Sequence, residues 1–258
     1  MDIQRIMFLK VPINIVSPEE FPDVISHLLK SAEASGENSA NAFSGKGQGI
    51  VLLSLSDLLR ARRKGEYQDY VRNAALVLPI SKSIISGAKF LTGKQLYRYM
   101  PFNFVIDLLS LLEKQGHSLY LLGGKGRILK AAERNIHTTF PRLKIVGRHE
   151  GSMHKQDEPT VIEAIRKASP SLLLAGKGIR REEVWIAKNS ASLSPGLRLW
   201  CSDLFDVFAK KRSRPSDEIF EKGLESLFYC VRNPLRFFRI FSYLRYKLLL
   251  LIYRIFDK

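Results

Sequence analysis

The stretch with the most chemical content is LYLLGGKGRILKAAERN, residues 119–135. An apolar run from Leu119 to Leu122 stops at Gly123 and Gly124, a basic turn follows, and a helical pattern resumes near Gly126. Glycines let backbone approach a ligand closely, and the N–H groups of a new helix point outward. A strand, a glycine turn and a helix in this order can therefore hold a phosphate. The spacing is neither G-x-G-x-x-G nor a Walker loop with its terminal Lys-Ser/Thr, so an ordinary tight connection is the competing reading. A second group of cations sits near the C-terminus. Arg232, Arg236 and Arg239 recur at i, i+4 and i+7 and share one helical face. Metal chemistry gains no support: His27, His117, His137, His149 and His154 form no ligand spacing, and Cys201 and Cys230 form no C-x-x-C.

Positioning those groups requires a folded core, and the composition supplies one. The chain has 258 residues, of which 45% are hydrophobic, which excludes global disorder. Its net charge of +16 calls for an anionic partner: nucleic acid, anionic lipid or a phosphorylated substrate. Two cysteines give no disulfide framework and fit a reducing cytoplasm. The opening MDIQRIMFLKVPINIV lacks a signal-peptide layout, and no apolar run reaches the ~18 residues of a spanning helix.

Short apolar runs alternate with helical patterns along most of the chain. Ser17-Pro18-Glu19-Glu20 is a helix start with Ser as N-cap, Pro at N1 and Glu at N3, and the helix is predicted to reach about Ala34. SGENSANAFSGKGQG, 35–49, reads as a mobile loop. Strands are predicted at GIVLLSL (49–55), AALVLP (74–79), SLYLLGG (118–124), LKIVG (143–147), SLLLAG (171–176) and LRLWC (197–201). Helices are predicted near 57–72, 101–115, 126–139, 158–168 and 181–190. Strands this short and this continuously apolar suit a parallel sheet buried on both faces. The fold class is therefore α/β, a Rossmann-like doubly wound sheet with ligands at the carboxyl ends of its strands.

The character changes from Arg212 onward. Residues 227–258 carry five Arg and two Lys against one Asp, interleaved with Phe, Tyr and Leu. A basic helix with aromatic and Leu residues opposite reads as lying on an anionic membrane surface. A helix packed on the body with solvated arginines, and a single-stranded nucleic-acid groove, are the other readings of the same pattern.

Four stretches, in order, resemble the WecB/TagA/CpsF family of bacterial glycosyltransferases. LLGGKGRILKAAERNIHTTFPRLKIVGRHEG (121–151) is similar to the family's Gly-Gly turn, helix, Tyr/Phe-Pro and I-V-G. PSLLLAGKGIRREEVWI (170–186) is similar to P-D-I-L-L-V-G-L-G-x-P-K-Q-E-x-W-I. LFDVFAKKRSRPS (204–216) resembles F-D-x-x-x-G-x-x-x-R-A-P, and GLESLFYCVRNPLRFFR (223–239) resembles G-L-E-W-L-x-R-x-x-x-E-P-x-R-x-x-R. The resemblance implies a Rossmann-like core with a C-terminal appendage that meets the membrane. It implies inverting, metal-independent transfer of an N-acetylhexosamine from a UDP-sugar to an undecaprenyl-diphosphate-linked sugar, in cell-envelope polysaccharide synthesis.

Carried over residue by residue, the resemblance puts the nucleotide sugar at Gly123, Gly124, Gly176, Gly178, Arg181, Glu182, Glu183 and Asp206. It puts the acceptor diphosphate at Arg214, Arg232, Arg236 and Arg239. His149 falls at the family's His-x-Gly-like turn, which would set it at the pocket border, with a solvent-facing loop histidine as the other reading, whereas Trp185 and Trp200 are expected in the core. The family's P-D-G-x-G, whose Asp is its proposed general base, appears here as Pro79-Ile80-Ser81-Lys82-Ser83. Its T-x-N appears as Ser54-Leu55-Ser56, and its Gly-x-Asp as Pro101-Phe102-Asn103. Ile80 cannot take a proton, and Asp57, at the end of the first core strand, is the nearest candidate for a substitute, with a helix cap as the other reading of that residue. The expected organisation is a core over 1–205 and a basic, aromatic, helical appendage over 206–258. Expected partners are a UDP-sugar, a polyprenyl-diphosphate-linked acceptor and an anionic membrane surface, with room for a homo-oligomer and no nucleic acid, metal or cofactor. The expected location is cytoplasmic, peripheral on the inner face of the cell membrane. The alternative is a family member that binds nucleotide sugar or a partner protein without transferring.

Overall fold

The structure, a computed structural model, describes residues 3–37, 48–214, 216–223 and 239–256. Six strands form one parallel sheet: β3 (Gly49–Leu53), β4 (Leu76–Pro79), β5 (Ser118–Leu122), β6 (Lys144–His149), β7 (Leu172–Ala175) and β8 (Leu197–Trp200). Their spatial order is β4-β3-β8-β7-β5-β6. Alternate residues feed two separate cores. Ile50, Leu76, Leu119, Leu121, Leu172 and Leu174 enter one, and Val51, Leu53, Val77, Leu122 and Leu173 enter the other. The first core is closed by α1 (Phe21–Glu37), α5 (Pro101–Gln115), α6 (Gly126–Thr139) and α9 (Leu204–Phe208). The second is closed by α2 (Leu55–Ala61), α3 (Glu66–Arg72), α4 (Lys82–Thr92), α7 (Glu158–Ala168), α8 (Glu183–Lys188) and the C-terminal helix, here α11 (Arg239–Phe256). Both faces of the inner strands are covered, which is why those strands read as unbroken apolar runs, whereas the edge strand β6 is partly exposed. α10 (Asp217–Lys222) lies outside both cores, capped by the Ser216 hydroxyl.

The doubly wound Rossmann-like expectation is met, and all six predicted strands are present. Four local expectations change. The helix predicted over 57–72 is two, α2 and α3, broken at Gly65, whose φ of 143° suits glycine. The Ser17 signal forms its reciprocal capping pair with Glu20, Ser17 N–H to Oε2 at 2.8 Å and Glu20 N–H to Oγ at 3.2 Å. Regular helix begins only at Phe21 and runs on to Glu37, into the stretch expected to be loop. An antiparallel hairpin, β1 (Arg5–Phe8) and β2 (Val11–Asn14), was not anticipated. Its two-residue turn puts Leu9 and Lys10 at φ of 49° and 68°, without the Asn-Gly pair that usually announces such a turn. The buried Asn14 amide oxygen accepts the Val77 N–H at 2.8 Å, so the hairpin shields the edge strand β4. The fourth is α4, whose KSIISGAKFLT carries a mid-helix glycine that weakens the helical signal.

Candidate functional site

Direction of travel through the sheet fixes where a ligand belongs. From β5 the chain crosses outward to β6. From the adjacent β7 it crosses the other way, to β8. Neighbouring strands whose connections leave in opposite directions open a crevice at their carboxyl ends. Gly123 and Gly124 follow β5, and Gly176 and Gly178 follow β7, so the four predicted glycines do come together at this switch point.

Their backbone is already laced together. Gly123 N–H donates to His149 O at 2.9 Å, Gly124 N–H to Lys177 O at 2.6 Å, and Gly176 N–H to Leu122 O at 2.8 Å. Gly151 N–H returns to Gly124 O at 3.0 Å, and Lys177 N–H reaches Ser202 O at 2.7 Å. A Cβ on Gly123 would lie 2.6 Å from Gly176 O, and one on Gly176 would lie 2.7 Å from the Phe205 ring. These glycines let four loops touch. At the start of α6 the Gly126 N–H goes to Glu150 Oε2 at 3.0 Å, so the chain's own carboxylate holds that helix terminus. The backbone amides that this leaves lie further on. Among the described residues, no backbone hydrogen bond engages the N–H groups of 178–181. Gly178, Arg181 and Glu182 there have φ of 99°, 67° and 51°. Two adjacent non-glycine residues at positive φ are costly, and such strain gathers at functional loops.

Charged side chains ring the crevice. Asp206 is buried in α9 and pairs with Lys177. Arg212 pairs with Asp203 beside it. Glu183 is buried at the start of α8, paired with Arg60, whose guanidinium also lies 4.0 Å from the centre of the Tyr67 ring. Burial raises the Glu183 carboxyl above the usual carboxylate range, with Arg60 partly opposing and Asp57 reinforcing the shift. Arg181 bonds Glu66 at 3.2 and 3.3 Å, and Lys188 reaches the same carboxylate at 2.6 Å. Glu182 is exposed. Lys177, Arg60 and Glu66 were not singled out from sequence. A lysine between two glycines at a strand end was the available signal for Lys177; the others come from separate helices.

The β3–β4 side carries the departures from the family. Asp57 and Ser54 form a reciprocal capping box at the start of α2, through Oδ2 of the carboxylate. Asp57 Oδ1 accepts no hydrogen bond among the described residues. Ile80 follows β4; its N–H goes to Leu53 O at 3.0 Å and its carbonyl accepts from Arg98 Nε at 3.0 Å. Arg214 donates to Asn103 Oδ1 at 3.0 Å and stacks 4.8 Å from the Phe102 ring centre, so it stands over the start of α5. Arg232 and Arg236 lie outside the described residues, and of Arg239 only the backbone, opening α11, is described. Trp185 is buried, its indole N–H donating to Glu158 at 2.6 Å, and Trp200 is partly buried against the same core, as expected. His149 places Nδ1 2.8 Å from Glu150 O.

The C-terminal helix docks on the body next to this side. Tyr246 and Leu250 are buried against α2 and α4, and the Tyr246 hydroxyl donates to Ser83 O at 2.5 Å. Ser242 and Arg245 share a cavity with Ser56 and Arg60, at the carboxyl end of β3. The opposite face leaves Phe241, Leu244, Leu248, Leu251 and Ile255 more than half exposed. No helix among the described residues is long and apolar enough to cross a membrane.

Fold and site together define a Rossmann-like α/β protein with a crevice ringed by ion pairs at its switch point and a docked amphipathic arm. The chain belongs to the glycosyl transferase WecG/TagA/CpsF family, whose model matches residues 6–258. It is 23% identical over 186 residues to the N-acetylglucosaminyldiphosphoundecaprenol N-acetyl-beta-D-mannosaminyltransferase of Bacillus subtilis (strain 168), covering 72% of each chain. It is 22% identical over 202 residues to the like-named enzyme of Bacillus spizizenii, covering 78% of this chain and 77% of that one. The like-named Staphylococcus aureus enzyme is 20% identical over 156 residues, 60% of each.

Proposed function

We propose that this chain transfers an N-acetylhexosamine from a UDP-sugar to an undecaprenyl-diphosphate-linked acceptor, with inversion and without a metal. Family membership and the relatives' names support the reaction class. The observation that carries the reading for this chain is the meeting of the two halves. The loop after β7 offers 178–181 amides and Glu183, and Arg60 ties Glu183 to the helix on which the C-terminal arm rests.

The donor diphosphate lies against the 178–181 amides, between Arg181 and the Lys177–Asp206 pair, with Gly123, Gly124 and Gly176 shaping the floor. Backbone dipoles and cations take up the charge that grows on the leaving UDP. Arg214, Arg232, Arg236 and Arg239 serve the acceptor diphosphate, and residues 206–258 act as the acceptor-side unit. Asp57 is the carboxylate left for proton removal: Ile80 cannot serve, Glu183 is bound to Arg60, and Asp57 keeps Oδ1 uncommitted. The exposed Phe241–Ile255 ridge, with Arg245 and Lys247 on its flanks, seats the enzyme on the inner face of the cell membrane.

The substitution at Ile80 motivates a second reading, a member that binds nucleotide sugar without transferring it. Labelled UDP-N-acetylhexosamine incubated with a polyprenyl-diphosphate sugar in detergent or vesicles separates the two. Product formation upholds the transferase. Measurable UDP binding with no product rejects it in favour of the binding protein.

A further inference from the structure

Glu66, the first residue of α3, receives two cations, one from the loop after β7 and one from the end of α8. Lys188 Nζ lies 2.6 Å from its Oε1, and Arg181 Nη1 reaches Oε1 at 3.2 Å and Oε2 at 3.3 Å. The two contacts are unequal. The Lys188 hydrogen bond is the main reason the Glu66 carboxyl is held below the usual carboxylate range, and Arg181 contributes less. Arg181 commits one nitrogen where a paired guanidinium fork would commit two. Among the described residues no hydrogen bond engages its Nε or Nη2. Both partners are more than half exposed, and an exposed ion pair shifts an equilibrium only about 2–5-fold. Glu66 therefore holds Lys188 closely and Arg181 loosely. If Arg181 leaves, Lys188 still neutralises the carboxylate.

The position of Arg181 in its loop tells what else it can hold. It stands three residues beyond Gly178, where a Cβ would lie 3.5 Å from Gly151 Cα and 3.7 Å from Gly124 N, so this loop is seated against the first glycine corner. The φ of 67° at Arg181 and 51° at Glu182 put two successive non-glycine residues in the left-handed region, which a chain keeps only where its surroundings impose it. Side-chain tethers flank the strained pair: Arg181 to Glu66, and Glu183 to Arg60. A guanidinium beside a carboxylate presents little net charge to an arriving anion. A diphosphate offers it the paired oxygens and the larger charge that Glu66 does not. We infer that Glu66 is a competing anion built into the donor site: with Lys188 as its lasting partner, it contends with the diphosphate of a nucleotide sugar for the Arg181 guanidinium. This rests on the donor site proposed above and adds to it a residue, on a helix outside the glycine loops, that sets donor affinity.

The test is a thermodynamic cycle on the full chain, with UDP as the probe and titration calorimetry as the readout. Salt is kept at about 0.15 M, where exposed charges more than about 8 Å apart are largely screened. The four proteins are the unaltered chain, Glu66→Gln, Arg181→Gln and the double variant; both side chains are exposed, so the fold survives their loss. Arg181→Gln should weaken UDP binding about 10-fold, the loss of charge-assisted hydrogen bonds. Glu66→Gln should tighten it about 3-fold. With Arg181 already replaced, Glu66→Gln should change nothing, because no guanidinium remains to contend for. A merely structural role of Glu66, or a general effect of its charge, would act equally in both backgrounds. An equal shift in both, no shift, or weaker binding in Glu66→Gln overturns the competition and leaves the donor site standing. So does an Arg181→Gln chain that binds UDP as tightly as the unaltered one. If neither the unaltered chain nor Glu66→Gln binds UDP, the donor reading itself fails and the competition falls with it.

Discussion

Gly87 and Tyr246 offer a test of whether the C-terminal arm sits where it must for this chemistry. A Cβ added at Gly87 would overlap the Tyr246 hydroxyl and lie 3.0 Å from its Cζ and 3.1 Å from Phe8 Cζ. Tyr246 is fully buried and its hydroxyl bonds Ser83 O at 2.5 Å. Gly87→Ala must therefore push the ring out of place, break that bond and strand the Ser83 carbonyl, at a cost of about 3 kcal/mol from overpacking and the lost bond. Alanine returns about 1 kcal/mol of helix propensity in α4, leaving a net loss of about 2 kcal/mol. Tyr246→Phe alone removes the hydrogen bond and costs about 1 kcal/mol. In the double variant the overlapping oxygen is gone, the nearest remaining ring atom sits at 3.0 Å, and the alanine gain is kept. The expected total is about 1 kcal/mol where simple addition gives about 3, a coupling of about 2 kcal/mol. Urea unfolding followed by far-UV circular dichroism on the four proteins measures it, and trypsin should cut within the arm faster in Gly87→Ala than in the double variant. Additivity within about 0.5 kcal/mol, or a Gly87→Ala chain as stable as the unaltered one, would refute the docking of α11 on α4.

Three further outcomes follow from the same geometry. Gly124→Ala should cost only about 1–2 kcal/mol, for a left-handed residue whose Cβ meets nothing closer than 3.7 Å, whereas Gly123→Ala should cost more than about 3 kcal/mol or prevent folding, because its Cβ meets the Gly176 backbone; equal midpoints in denaturant would count against the laced loops. Asp57→Asn keeps an acceptor for the Ser54 cap, so turnover should fall ~10²–10⁴-fold with a change in stability below about 1 kcal/mol; unchanged turnover removes Asp57 as the base. Burial raises the Glu183 carboxyl, so the folded chain binds that proton more tightly than the unfolded chain. Stability relative to Glu183→Gln should therefore fall as pH rises from about 4.3 through the higher folded value, and a difference that grows with pH would contradict the burial argument.

Much of the scaffold could be read from the chain alone, because its determinants are local. GIVLL, SLYLL and SLLLA are too short for helices and too apolar for half-exposed strands, which forces a sheet buried on both faces. Glycines at the ends of two such runs marked the carboxyl edge before any coordinates did. The residue order of the four family-like stretches gave the family, which the match over 6–258 bears out. The hairpin and α4 stayed hidden because nothing local announces them: Leu9-Lys10 lacks turn residues, and Gly87 dilutes a helix for the benefit of a tyrosine far along the chain.

The site divides along the same line. The sequence alone determined which residues could carry charge and where strands end, since side-chain chemistry and period-two or 3.6-residue patterns are properties of neighbours along the chain. Tertiary structure alone decided how each group is used. It turned the glycine amides of the first corner toward neighbouring loops, gave the start of α6 to Glu150, and set Arg60 against Glu183 across 123 positions. It also brought Arg63 and Arg245 to one cavity. Contacts of that range depend on how the sheet's crossovers return in space, and no pattern within a single segment encodes them.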